Sequence, residues 1–155
     1  MAQTRKGTGG RRREQPRSKT IVGWVESVEL PGISAETFLA KLDTGAETCS
    51  LHATGIDIKG RKVGFTVAGA RHSLRLKEIR SVKSSNGGET WRPVVDLEVR
   101  FNGRRDVVEF TLANRGNMRF PVLLGRNYLH DGFLVDAGFE HLVSRTPRAR
   151  RRDKR

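Results

Sequence analysis

The sequence predicts a mainly β domain, a small closed barrel or sandwich, on three observations. Short runs alternate apolar and polar residues with the two-residue period of a strand. Strong turn signals stand between them, at Pro31-Gly32, Asn86-Gly87-Gly88 and Asn102-Gly103. Scarcely any stretch carries the longer apolar period of a helix. A chain of 155 residues has room for one core and little else.

Taken in order, Ile21 to Leu30 alternates from Trp24 onward and predicts a first strand, ended by Pro31-Gly32. Phe38 to Leu42 predicts a second, running straight into Asp43-Thr44-Gly45. Lys62 to Val67 predicts another. Leu74 to Val82 alternates throughout and reads as one strand, with Asn86-Gly87-Gly88 at the tip of the hairpin that follows. Trp91 to Phe101 and Val107 to Leu112 flank Asn102-Gly103 as a further hairpin. Val122 to Leu124 is wholly apolar, as a buried strand is, and Asn127 to His130 predicts a brief helical turn. Phe133 to Val135 predicts the last strand, with Asp136-Ala137-Gly138 as its end. Trp24 and Trp91 are expected to fill the core or an interface, and Cys49 to be buried.

The net charge of +13 suggests a nucleic-acid binder until it is located. Residues 1–19 hold seven Lys or Arg against Glu14 alone, and residues 145–155 hold seven against Asp153 alone. Residues 20–144 hold 16 basic and 15 acidic side chains, so the globular part is close to neutral. The two ends have Gly, Pro and charge with almost no apolar residues, and are expected to be disordered basic tails around a domain of residues 20–144. Two readings of the tails stand side by side: an electrostatic tether to RNA, to ribosomes or to an acidic partner, or solubilising extensions. Localisation signals are a third. Cys49 is the only cysteine, which forbids an internal disulfide and points to a reducing compartment. The N-terminal residues lack the apolar stretch of a secretory signal, and no run is long enough to cross a bilayer. A soluble, cytoplasmic protein without membrane contact is expected.

The chemistry centres on Asp43. A carboxylate on a tight turn after a strand is rigidly held and open to substrate. Aspartic proteolysis needs two such groups sharing a proton: one activates water, the other donates to the scissile carbonyl. Thr44 has a hydroxyl able to bond across to a second copy of the turn, and Gly45 lets backbone pack closely beneath the carboxyls. Leu42 and Ala46 keep the surroundings apolar or small.

Leu42-Asp43-Thr44-Gly45-Ala46-Glu47 and Val122-Leu123-Leu124-Gly125-Arg126-Asn127 together resemble the two signature segments of the retropepsins. With Arg92-Pro93-Val94-Val95 and the run from Leu112 to Arg126, the chain resembles a bacterial family often labelled ATP-dependent zinc proteases, which includes the retropepsin-like protease RimB. The resemblance covers roughly residues 22–143. It implies a small closed barrel of the acid-protease type, with at most a short helix after Gly125. It implies Asp43 as the catalytic residue, supported by Thr44, Gly45 and Ala46, and a structural ion pair between Glu47 and Arg126. One Asp-Thr-Gly per chain implies a homodimer, whose paired carboxyls titrate as a unit and favour acidic pH.

Neither word of the family's label is supported by the residues. There is no His-Glu-x-x-His; His52, His72, His130 and His141 are scattered, and Cys49 with His52 makes only two ligands. No phosphate-binding Gly-rich Lys-Ser/Thr loop is present. No metal and no cofactor are expected.

Asn86, Gly87 and Gly88 form the candidate flap over the substrate; read plainly, they are a hairpin turn. Arg71, Arg75, Lys77, Arg92, Arg115 and Arg119 are candidates for binding an acidic peptide or protein substrate, while alternating charge also marks an ordinary solvated strand face. The resemblance favours the first reading, because the family is linked with a ligase that adds glutamates to a ribosomal protein. A catalytically weak module docking RNA, ribosomes or an acidic partner through its Arg-rich tails is the alternative to a peptidase.

Overall fold

The computed structural model describes residues 18–83, 86–116 and 119–145, and alternation in the sequence becomes a curled sheet. The strands are β1 (Thr20–Glu29), β2 (Thr37–Leu42), β3 (Cys49–His52), β4 (Thr54–Lys59), β5 (Lys62–Val67), β6 (Ala70–Arg75), β7 (Glu78–Lys83), β8 (Glu89–Phe101), β9 (Arg104–Ala113), β10 (Val122–Leu124) and β11 (Phe133–Glu140). One short helix, α1 (Arg126–Leu129), follows Gly125. The main sheet has the order β11-β1-β2-β10-β3-β9-β8-β7. The end of β1 meets β8 again, Glu29 opposite Arg100, which bends the eight strands into a ring. The mainly β fold expected from the alternation is the one observed, with the expected closed barrel realised as a ring of strands joined where β1 meets β8.

A three-stranded meander, β4-β5-β6, packs beside the ring. Val63, Phe65 and Val67 of β5 point into the same cluster as Val22, Leu51, Phe110 and Leu124. Burying a residue such as Phe65 stabilises by about 1.5–3 kcal/mol, so the small sheet is docked by its own alternate side chains. The Asn102-Gly103 hairpin forms as read, with φ of 49° and 75° at those residues, the left-handed pair that a two-residue turn demands.

Three expectations change. The run from Leu74 to Val82 is two strands, because the chain crosses between sheets in its middle. Leu76 N–H donates to Arg61 O on one side and Lys77 N–H to Val94 O on the other, each at 2.8 Å. Asp136-Ala137-Gly138 does not end a strand; β11 runs on to Glu140, through a register shift opposite Gly23 and Val25. Trp91 does not fill the core, being 67% exposed on β8. Trp24 is half-buried and meets Phe120 edge-on, with ring centroids 5.8 Å apart. No helix among the described residues is long and apolar enough to cross a membrane. The basic tails lie outside the described residues apart from Ser18, Lys19 and Arg145.

Candidate active site

Apolar β2, with Ala40 and Leu42 buried, delivers Asp43 to the ring's surface. Short β10 lies between β2, to which it is parallel, and β3, to which it is antiparallel. That placement joins the two sequence signatures. Asp43 N–H donates to Leu124 O at 2.8 Å, Arg126 N–H to Ala46 O at 2.8 Å, and Asn127 N–H to Glu47 O at 3.1 Å. Within the turn, Gly45 N–H donates to Asp43 Oδ1 at 2.9 Å and Ala46 N–H to Asp43 O at 3.2 Å.

Gly125 is needed because the segments run so close. A Cβ there would stand 2.8 Å from Thr48 C and 2.9 Å from Ala46 O, both backbone. Asn127 completes the junction: its Oδ1 accepts from Cys49 N–H at 2.9 Å and from the thiol at 3.1 Å. Its Nδ2 donates to Glu109 O at 3.0 Å. Cys49 is fully buried, and burial pushes its thiol up to about 12, outweighing the Gly125 N–H that points at the sulfur.

The Asp43 carboxylate is 28% exposed, with Lys41 Nζ 4.0 Å from Oδ2. Arg115 feels it too. Burial holds the Arg115 guanidinium below its usual range, the positive charge of Arg92 adds to that, and the negative charge of Asp43 opposes it. Beside the Asp43 turn, and under the hairpin formed by β7 and β8, lies a cleft of 570 Å³. Gly45 and Ala46 line it, together with Arg80, Lys83, Arg92, Arg115 and Arg126; Glu47 and Glu89 are its acids. Arg92 Nε and Ser50 Oγ are buried there without a hydrogen-bond partner among the described residues.

Of the residues read as site candidates, Gly45, Ala46, Glu47, Arg92, Arg115 and Arg126 are brought together around this cleft. Glu47 and Arg126 do not form the expected ion pair. Both side chains are exposed, where an ion pair contributes about 0–1 kcal/mol. Arg126 Nη1 instead donates to Thr44 O at 3.2 Å, and Glu47 meets the Gly-Arg-Asn segment through its own carbonyl. Thr44 is exposed.

Four of the basic candidates lie elsewhere. Arg71 donates to Gly55 O and Thr66 Oγ1, pinning the stretch where β4 and β5 shift register. Arg75 sits on β6 opposite Lys62. Lys77 Nζ is held 3.2 Å from Asp96 and 2.9 Å from Glu109, two acids that face each other across β8 and β9. Arg119 lies 5.1 Å from the centre of the Phe120 ring. The reading missed Arg80 and Lys83, which line the cleft from β7. Arg80 had only a place on the alternating run as a signal, and Lys83 stands just past that run. Both reach the cleft because β7 pairs with β8 along its border.

That hairpin borders the cleft through Ser81, Val82, Lys83 and Glu89. Its tip holds Asn86, Gly87 and Gly88, with φ of 78° at Gly87, while Ser84 and Ser85 lie outside the described residues. Cys49 and His52 do not fit a zinc site. The sulfur is sealed beneath Gly125 and Asn127, and His52 Nδ1 accepts from Arg115 N–H at 3.0 Å. Among the described residues no three His, Cys, Asp or Glu side chains converge.

Comparison with known proteins agrees with the geometry. The profile of the RimB-like family, described as retropepsin-like aspartic endopeptidase RimB, matches residues 21–146. A Shewanella halifaxensis protein named probable alpha-L-glutamate ligase is 33% identical over 131 residues, 77% of this chain and 29% of that protein. A Shewanella pealeana protein of the same name is 31% identical over 131 residues, with the same coverage. The chain thus spans 29% of the length of these curated relatives. A crystal structure of a Legionella pneumophila protein of unknown function aligns with a TM-score of 0.66 at 31% identity, covering 81% of this chain and 98% of that one. With both signature segments joined by hydrogen bonds and the profile spanning the ring, the chain belongs to the RimB-like family of retropepsin-like aspartic endopeptidases.

Proposed function

We propose that the protein is an aspartic peptidase that works as a homodimer, with Asp43 from each copy forming the dyad. The observation that carries this reading is the pinned turn. Asp43 N–H is bonded to Leu124 O and Oδ1 to Gly45 N–H, so the carboxylate is held from both ends while staying 28% exposed. A binding surface makes no demand for such a turn. A two-role mechanism does: one carboxylate takes a proton from the attacking water while its partner donates one to the scissile carbonyl oxygen. The exposed Thr44 and Gly45 present the face on which a second copy brings its own Asp43.

The substrate class proposed is an acidic or glutamate-extended protein. Lys83, Arg92, Arg115 and Arg126 line the cleft against Glu47 and Glu89, with Arg80 beside them held by Glu78 and Glu109. The Arg92 Nε is buried without a hydrogen-bond partner among the described residues. A substrate carboxylate would supply that donor with an acceptor and screen Arg92 from Arg115. Relatives that carry a similar region within proteins named for glutamate ligation support the same class. Asn86, Gly87 and Gly88 act as the flap tip, and the expected compartment is the cytoplasm.

The test compares wild type with Asp43→Asn on a peptide ending in a run of glutamates, with and without a chelator, followed by mass spectrometry. Cleavage by wild type alone, insensitive to chelator, is expected. Equal cleavage by the two proteins would sink the reading.

A further inference from the structure

The far end of the ring carries a second cationic surface. A cavity of 470 Å³ is lined by Arg100, Arg104, Arg105 and Arg145, with Ser27 and Glu29 beside them. Arg100 and Arg105 are direct cross-strand partners on β8 and β9. Such pairs stand about 4.5–5.5 Å apart at Cα, and like charges so placed destabilise a hairpin. Arg105 is exposed and has no hydrogen-bond or ion-pair partner among the described residues. Arg100 is oriented by Glu98, whose Oε1 lies 3.2 Å from its Nε. Arg104 is fixed between the Phe133 ring, Asp106 and the carbonyl of Asp131.

This surface is separate from the cleft. Arg92 and Arg100 are eight residues apart on β8, about 26 Å at ~3.3 Å per residue. Between them, on the face shared by Arg100 and Arg105, stand the acids Asp96, Glu98 and Glu109. These acids are ion-paired with Lys77, Arg80 and Arg100, so a stretch of internally paired charge parts the two cationic ends.

The roots of both basic tails also lie here. Arg145 itself lines the cavity, and six more Lys or Arg follow it in the sequence. At the other terminus Thr20 N–H donates to Gly132 O at 2.8 Å, next to the Asp131 carbonyl that holds Arg104. In the sequence, Thr20 is preceded by a stretch in which residues 1–17 hold six Lys or Arg.

We propose that Arg100, Arg105 and Arg145 form a docking surface for the phosphate backbone of a nucleic acid, on the opposite end of the domain from the peptidase cleft. Arginine forks match phosphate oxygens in pairs, and repulsion between Arg100 and Arg105 is relieved when a phosphate sits between them. No exposed aromatic lines the cavity to stack on bases, so binding is by charge and without sequence preference. The substrate cleft and the docking surface are then used together, one holding an acidic segment while the other grips nucleic acid.

The test measures fluorescence anisotropy of a labelled 20-nucleotide RNA hairpin and of a DNA duplex of matching sequence, over a salt series with the full chain. Wild type is expected to bind with affinity that falls steeply with salt. Arg100→Ala with Arg105→Ala should weaken binding at least five-fold and flatten the slope of log affinity against log salt by about 1.4–1.8, roughly 0.7–0.9 per lost contact. Arg100→Lys with Arg105→Lys, which keeps the charge, should retain the slope and guards against misfolding of the alanine variant. Binding to both probes supports the backbone reading, and binding to one alone names the source of the phosphate. Asp43→Asn should bind like wild type, so loss of the peptidase reading would leave this one standing. An unchanged affinity and slope in the double alanine variant would overturn it. So would displacement of RNA by polyglutamate that depends on Arg100 and Arg105, since the surface would then belong to an acidic protein.

Discussion

The amide of Asp43 donates to the carbonyl of Leu124 at 2.8 Å. Residues eighty-one positions apart are thereby fixed as one unit, with the reactive turn on one side and the Gly-Arg-Asn segment on the other. Two further backbone bonds, Arg126 N–H to Ala46 O and Asn127 N–H to Glu47 O, repeat the theme. The side chains of Asn127 and Cys49 close the junction by accepting from the Cys49 and Gly125 amides.

Gly125→Ala should destabilise the fold by about 1–3 kcal/mol, because the new methyl meets backbone at Ala46 and Thr48 that cannot step aside. Gly32→Ala is the control, since nothing lies within 4 Å of its Cβ position. Urea midpoints of the two variants check the contrast, and similar midpoints would show that β10 has room the geometry denies.

Cys49 should be inert in the native protein. Its thiol is fully buried and raised to about 12, so almost no thiolate is present at neutral pH. Iodoacetamide is expected to label it only after unfolding in denaturant, as followed by intact mass. Rapid labelling of the native chain would place the sulfur at the surface.

Arg92 and Arg115 should set affinity for acidic substrate. Arg115→Ala is expected to raise KM for a glutamate-rich peptide about ten-fold or more, roughly the 1.5–3 kcal/mol of a hydrogen bond to a charged group, and to affect a neutral peptide far less. Steady-state kinetics on the two peptides makes the comparison. An equal loss on both would mean that Arg115 serves the turn and not the substrate.

Glu109 gives the fold part of its acid sensitivity. Lys77, then Arg80, hold its carboxyl below the usual 4.5. A lowered carboxylate stabilises fully above its unfolded value, and that contribution fades as pH falls from about 4.5 through the folded value. Glu109→Gln should therefore cost stability at pH 7 and little at pH 3, seen as denaturation midpoints that converge on acidification. A gap that is constant with pH would remove the ion network from the account.

Asn127→Ala should destabilise by about 2–4 kcal/mol, since it strands the Cys49 amide and the Glu109 carbonyl inside the junction. Asn127→Asp retains the acceptor and is expected to lose less at Cys49, a difference that hydrogen exchange at the Cys49 amide reports.

Local chemistry wrote much of this protein into its sequence. Alternation marked β1, β2, β5, β8 and β9 and the Asn102-Gly103 pair forced its hairpin, because each depends on neighbours a few residues away. Asp43-Thr44-Gly45 and Gly125-Arg126-Asn127 pointed to the candidate site through the family resemblance they carry. Only the tertiary structure decided the rest. The split at Leu76 and Lys77 follows from which sheet each amide meets, and the course of β11 past Asp136 from its register on β1. Charge told least by itself: Arg71 and Lys77 are bound into structure, Arg92 and Arg115 face the cleft, and Arg100 and Arg105 stand at the opposite end. An arginine's role is fixed by the carboxylate or carbonyl that reaches it first, and those partners come from strands far away in the chain.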